Sequence, residues 1–320
     1  MARIGFHASH EQFTPRDLLA HVQAAENAGF ACAMSSEHFA PWSERQGQSG
    51  FALSWIAAAL QATRLPMGML SIPIGFRYHP AIVAQAGATL AQMFPDQFCW
   101  MALGSGEALN EHITGVPWPD KPERIERLAA ATDIIRALWA GETVNRSGPI
   151  PVHEARLYTL PERAPLLLGA ALTEETAERA GGWADGLVLI NQPMDKLKAL
   201  IEAFHRGGGE GKPVNLQVHL SYAADEATAR ANAFDQWRSN VMTPEMAANF
   251  VTPADFDRAA ERVRPEDLDD HVVISASTAH HVDRIATFAE LGFRDIYLHN
   301  VGRNQSEFIE VFGADVLRQL

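Results

Sequence analysis

The run Phe30-Ala31-Cys32-Ala33-Met34 passes directly into Ser35-Ser36-Glu37-His38-Phe39-Ala40-Pro41-Trp42. The first part reads as a buried strand, and just beyond its end the chain sets down an acid, an imidazole and an indole. The same order recurs along the sequence. Apolar runs at Ile4–Ala8, Leu65–Ile74, Gln97–Leu103, Leu166–Leu168, Leu187–Ile190, Leu216–Tyr222 and Ile296–His299 read as further strands, each followed by polar or small residues and then by helical periodicity. Consecutive parallel strands need crossover helices. Eight such alternations in one chain predict an α/β architecture closed into a (β/α)8 TIM barrel with insertions. An open doubly wound sheet is the alternative, and against it no G-x-G-x-x-G follows the first strand.

Around this core the helices are marked by their ends. Thr14 is an N-cap with Pro15 at the first helical position, Leu18, Leu19, Val22 and Ala25 form one buried stripe, and Gly29 ends the helix. Other helices are predicted over 51–63, 80–93, 122–140 and 226–237, and from Thr173 and Met194. Two stretches interrupt the alternation. Residues 141–163, with Gly141, Gly148, Pro149, Pro151 and Pro161, and the polar segment 243–268 both read as insertions in a single domain spanning 1–320. A short extra strand is expected near Val273. Gly207-Gly208-Gly209-Glu210-Gly211 follows a helix and precedes a strand, the reverse of a phosphate loop, and reads as a flexible connector.

Composition narrows the function. A net charge of −13 disfavours nonspecific contact with nucleic acid or anionic membrane. No apolar run approaches the roughly 18 residues of a membrane span. The two cysteines, Cys32 and Cys99, lie in apolar runs and read as free thiols, so a reducing, cytoplasmic location is expected. The chain enters its first strand with no signal region.

In a barrel of this kind the residues after each strand share one face. That face gathers His7, Glu11, Glu37, His38, Trp42, Leu70, Ser71, Ser105, Glu107, the turn 169–173, Asn191, Ser221 and His299. His38 suits acid-base work near neutral pH, and Glu107 suits proton donation where burial raises its pKa. Trp42 offers a flat wall for a ring-shaped substrate or cofactor. Each has a plainer reading: a hydrogen-bonded structural histidine, an indole plugging the barrel mouth, and, for Gly104-Ser105-Gly106, a turn that needs glycine for its backbone angles. Of the 13 histidines, His7, His38, His219 and His299 fall near strand ends, which raises a metal-dependent hydrolase. With no H-x-H or H-E-x-x-H spacing, no metal ligands are assigned.

At these residues the sequence resembles the luciferase-like flavin and deazaflavin oxidoreductases, most nearly the group of the coenzyme F-420-dependent glucose-6-phosphate dehydrogenase. The matching stretches are Ala8-Ser9-His10-Glu11-Gln12-Phe13, Glu37-His38-Phe39-Ala40-Pro41-Trp42, Phe76-Arg77-Tyr78-His79-Pro80-Ala81 and Gly104-Ser105-Gly106-Glu107-Ala108-Leu109-Asn110-Glu111. The resemblance implies a (β/α)8 barrel, a homodimer and an isoalloxazine-like ring at the C-terminal mouth. It gives His38 the substrate proton, Glu107 the acid role, Trp42 a stacking role beside substrate, and Glu11 the substrate hydroxyls. It also implies that Glu37, Leu70, Ser71, Ser105, Gly106, Ala170, Ala171, Leu172 and Asn191 line the cofactor, with a non-prolyl cis peptide at Leu70-Ser71.

Departures from the family pattern bear on the cofactor. The glycine pair that cradles the cofactor phosphate in the dehydrogenases aligns with Ala171-Leu172, and Glu174 and Glu175 follow in the first turn of the helix. This change opposes the polyanionic tail of coenzyme F-420 more than the compact phosphate of FMN, so FMN is expected over F-420, as in the resembling subgroup that returned to ordinary flavin. Ile190-Asn191-Gln192-Pro193 lacks the lysine of the sugar-phosphate enzymes, which argues against a phosphorylated substrate. The sequence thus reads as an oxidoreductase moving hydride between the ring and a small alcohol or carbonyl compound, or, with FMN, as a monooxygenase. A non-catalytic flavin-binding barrel is the alternative.

Overall fold

The computed structural model describes residues 2–320. Eight parallel strands close on themselves: β1 (Arg3–Ala8), β2 (Cys32–Ser35), β3 (Met67–Ser71), β4 (Phe98–Leu103), β7 (Leu166–Ala170), β8 (Gly186–Ile190), β9 (Val214–Ser221) and β11 (Asp295–Asn300). Pairing of β8 with β9, β9 with β11 and β11 with β1 shuts the ring, so the open sheet is excluded. The insertion at 141–163 contains the antiparallel hairpin of β5 (Val144–Arg146) and β6 (Val152–Ala155). The expected extra strand is β10 (Val273–Ile274), which pairs with the end of β9.

Helices α1 (Pro15–Ala28), α2 (Ala52–Ala62), α3 (Pro80–Met93), α4 (Ala108–Glu111), α5 (Lys121–Trp139), α6 (Glu174–Gly181), α7 (Met194–Phe204), α8 (Glu226–Trp237), α11 (Thr278–Ala289) and α12 (Gln305–Val311) alternate with the barrel strands. The insertion at 243–268 is built from short helical pieces, chiefly α9 (Pro244–Asn249) and α10 (Pro253–Ala259). Local signals act as read: Thr14 accepts from the Asp17 amide, and Gly29 closes α1 at φ 102°, a left-handed conformation that favours glycine.

Strand side chains alternate between two faces. One set, including Phe6, Ala33, Met69, Met101, Leu167, Leu189, Leu216 and Ile296, packs against the helices in the main core. The alternate set points into the bore, where Cys32, Met34, Trp100, Ala102, Leu168, Val188 and Tyr297 form a second cluster. Trp100 fits because Gly68 faces it: a Cβ there would meet the indole at 1.9 Å. At the N-terminal end of the bore, Arg3 holds the fully buried Asp295 through two bonds of 2.7 and 3.0 Å.

Two expectations are corrected. The connector at 207–211 is seated, not loose: a Cβ on Gly207 would meet the Glu178 carbonyl oxygen at 1.7 Å, and Lys212 Nζ donates to the Gly181 carbonyl at 2.8 Å. Gly207 and Gly208 serve close packing against α6, and Gly209 packs on the Phe204 ring of α7. The Leu70-Ser71 peptide is trans, as is every bond among the described residues. A trans bond lets β3 continue its ladder to β4 through Ser71 and Leu103, where a cis bond would cost roughly 3 kcal/mol.

Candidate active site

The C-terminal strand ends converge on His38. Its carbonyl accepts from Ser49 Oγ at 2.7 Å, and its ring lies 4.6 Å from the Trp42 ring between centroids. Behind Trp42 stands Phe256 of α10, edge-on at 5.3 Å. The second insertion therefore backs the mouth, a role its polar sequence did not announce.

Four side chains set the electrostatics. Glu11, at the end of β1, is buried and its Oε2 accepts from Ser9 Oγ at 2.7 Å and Ser36 Oγ at 2.9 Å. Its Oε1 has no hydrogen-bond partner and lies 3.7 Å from His38 Nε2. Burial alone pushes the Glu11 pKa up, but the neighbouring His38 and the Ser9 bond outweigh it, so the net shift is downward and the group is a carboxylate. Glu107 shifts the other way: burial raises it, and Glu11 and Glu111 add to the rise against the opposing pull of His38. One carboxyl held ionised beside one held toward its acid form is the pattern expected of a proton-transfer site.

Asn110 ties these groups together. Its Oδ1 accepts from the amides of Phe39 at 2.8 Å and Ala40 at 3.3 Å, while its Nδ2 reaches His38 Nδ1 at 3.1 Å and Glu107 Oε2 at 3.4 Å. Asn110 lies inside a stretch that matched the family, but no spacing rule singled it out.

Glu37, expected to line the cofactor, has both carboxylate oxygens engaged. Arg77 Nη2 donates to its Oε2 at 2.8 Å, Nη1 donates to its Oε1, and the Tyr78 hydroxyl donates to Oε1 at 3.0 Å. Arg77 also holds Glu111 through Nε at 3.3 Å and its backbone amide at 2.9 Å. The pairing is between side chains 40 positions apart, which no local pattern in the sequence announces. Asn191, likewise expected at the cofactor, is a latch: Oδ1 accepts from the His219 amide at 2.8 Å and Nδ2 donates to the His271 carbonyl at 3.2 Å.

Several remaining cofactor candidates stay open to a ligand. Ser71 Oγ, after the half-buried Leu70 at the end of β3, and Gln192 Nε2, after the end of β8, are each buried without a hydrogen-bond partner. Ser105 and Gly106 form the partly exposed turn after β4, with Gly106 at φ 81°. At the expected phosphate end, Ala170 and Leu172 are exposed and Ala171 is buried. There Thr173 caps α6, while Glu175 pairs with Lys121 at 3.2 Å and Glu174 with Arg206 at 3.5 Å. That end offers an anion no unpaired cation among these residues. No cluster of three or more His, Cys, Asp or Glu side chains arranged for a metal occurs among the described residues, and no helix there is long and apolar enough to cross a membrane.

Comparison with known proteins matches residues 1–295 to the luciferase-like monooxygenase family. An F420-dependent glucose-6-phosphate dehydrogenase of Beutenbergia cavernae is 34% identical over 330 residues, covering 100% of this chain and 98% of the relative. The enzyme of that name from Mycobacterium tuberculosis is 30% identical, covering 99% and 98%. Among solved structures, an F420-dependent secondary alcohol dehydrogenase in complex with an F420-acetone adduct superposes with a TM-score of 0.91 at 28% identity, covering 99% of this chain and 98% of that one.

Proposed function

Because the chain belongs to the luciferase-like monooxygenase family and is an oxidoreductase of its F-420- and flavin-dependent kind, we propose that it moves hydride between a flavin-type ring and a small, uncharged alcohol or carbonyl compound. The observation that carries this reading is the constellation at the mouth: His38 set against Trp42, with the Glu11 carboxylate 3.7 Å from its Nε2 and Glu107, pushed up by burial, joined to it through Asn110. The ring, when bound, supplies the atom that gives or takes hydride. His38 and Glu107 then handle the proton at the substrate oxygen, and Trp42 walls the substrate against the bore.

An uncharged substrate is supported by the charges present. Glu11, Glu37, Glu107 and Glu111 gather at the mouth, and Arg77 is already shared between Glu37 and Glu111. A substrate phosphate would meet net negative charge there. The acetone adduct of the solved relative supports a small ketone or secondary alcohol. For the cofactor, the named relatives support the deazaflavin, and the expectation of FMN finds no support among them. The Ala171-Leu172 turn, with Glu174 and Glu175 already paired, favours FMN as a second reading. A homodimer is part of the proposal, from the resemblance alone.

Titrating the protein with F-420 and with FMN, followed by fluorescence, separates the cofactors, since tight binding of one alone decides between them. His38→Ala is expected to lower turnover of secondary alcohols or ketones by about 10²-fold or more with cofactor binding retained. Unchanged turnover in that variant would remove His38 from the chemistry.

A further inference from the structure

We infer that Asn110 holds His38 in the tautomer with its proton on Nε2, so that this imidazole meets a substrate oxygen as a hydrogen-bond donor. An amide has a donor end and an acceptor end, and its partners decide which end faces where. The backbone amides of Phe39 and Ala40, at 2.8 and 3.3 Å, both need an acceptor, and only Oδ1 of Asn110 can serve them. Reversing the amide would set its NH₂ against two N–H groups. Nδ2 is therefore turned to His38 Nδ1 at 3.1 Å, which must present its lone pair. In the neutral ring the proton then sits on Nε2.

That nitrogen faces Glu11 Oε1 across 3.7 Å. Since Oε2 of Glu11 is taken by Ser9 and Ser36, Oε1 is its unpartnered acceptor. The second hydrogen of Asn110 Nδ2 points to Glu107 Oε2 at 3.4 Å, which ties the Glu107 carboxyl group and the imidazole to one amide. The resting mouth thus presents His38 Nε2–H as a donor. A carbonyl oxygen accepts from it, whereas an alcohol must also find an acceptor for its own proton, which at this rim is Glu11 Oε1. Asn110 is a positioning residue that acts through His38. Its effect on ketone binding rests on the oxidoreductase reading above, but the tautomer itself does not.

The test is a long-range ¹H–¹⁵N correlation on the cofactor-free protein labelled at histidine, recorded near pH ~8, where an ordinary imidazole is neutral. The His38 signals are those lost in His38→Asn. A protonated ε2 and an unprotonated δ1 nitrogen are expected, and a proton on δ1 or averaged between the two overturns the inference. Asn110→Asp keeps an acceptor for Phe39 and Ala40 and adds one for Nδ1–H, so the pattern should invert. If that variant does not fold, Asn110→Ala should give an averaged pair, and an unmoved pattern in whichever variant folds overturns the inference. On the loaded enzyme, Asn110→Asp should raise the KM for a ketone relative to that for an alcohol by about tenfold, since the carbonyl loses its donor. Failure to turn over any alcohol or ketone would count against the proposed function and leave the tautomer result standing.

Discussion

Inside the barrel, β2, β3, β4, β7 and β8 present Met34, Leu70, Trp100, Ala102, Leu168 and Val188, whereas β9, β11 and β1 present Gln217, His219, His299 and His7. The first arc is held by packing and the second by directed hydrogen bonds. Gln217 Nε2 donates to His219 Nε2 at 3.1 Å and to His299 Nδ1 at 3.3 Å. His299 Nε2 then donates to Gln12 Oε1 at 3.0 Å, and Gln12 Nε2 passes on to the Val301 carbonyl at 2.7 Å. The buried imidazoles of this arc work in their neutral form, as burial demands: His7, outside the chain of bonds but with its ring 4.3 Å from that of His299, is pushed down to about 4, His219 to about 3, and His299 well below the usual range. The two arcs give the mouth a dry side suited to a ring and a polar but uncharged side suited to hydroxyl or carbonyl groups.

The two arcs should fail differently. Trp100→Ala empties the apolar arc and removes the bond from the indole N–H to the Tyr297 hydroxyl at 3.2 Å. A loss of about 3–5 kcal/mol is expected in denaturant unfolding, with little dependence on pH. Acid attacks the polar arc instead. His7 has a folded pKa below its unfolded one, so the unfolded chain binds the proton first, and stability is full above pH ~6.5 and lost as pH falls toward ~4. Between pH ~8 and ~4.5 this amounts to about 2–3 kcal/mol from His7 alone. A thermal midpoint that stayed flat over that range would contradict the neutral assignment.

Smaller still is Gln217→Leu, which leaves His219 Nε2 and His299 Nδ1 without their donor. About 1–3 kcal/mol is expected, with a slope against pH shallower than wild type's if the freed imidazoles take up protons sooner. A variant as stable and as acid-sensitive as wild type would show that the bond chain does not hold the arc.

Much of this arrangement was legible before any coordinates. The eight alternations pointed to a closed barrel over an open sheet, and in a barrel the position of His38, Glu11, Trp42 and Glu107 after their strands gives them a common face. The pairing of Glu37 was not legible, because ion-pair choice depends on which loops meet across the mouth, and Arg77 reaches Glu37 from the end of the next strand. Asn110 and Phe256 were hidden for the same reason: an asparagine in a short helix and a phenylalanine in a polar insertion carry no periodic signal. The connector's glycines misled by composition, since three in a row read as freedom until the Glu178 carbonyl is seen against Gly207.

Periodicity and strand order are local properties of the chain, and they alone determined the fold, the shared face and the candidate imidazole. The amide orientation of Asn110, the neutral state of the buried histidines and the separation of Glu11 from Glu107 were decided only by the tertiary structure. Burial and hydrogen-bond direction depend on neighbours that are distant in sequence, and these set which group at the mouth holds a proton.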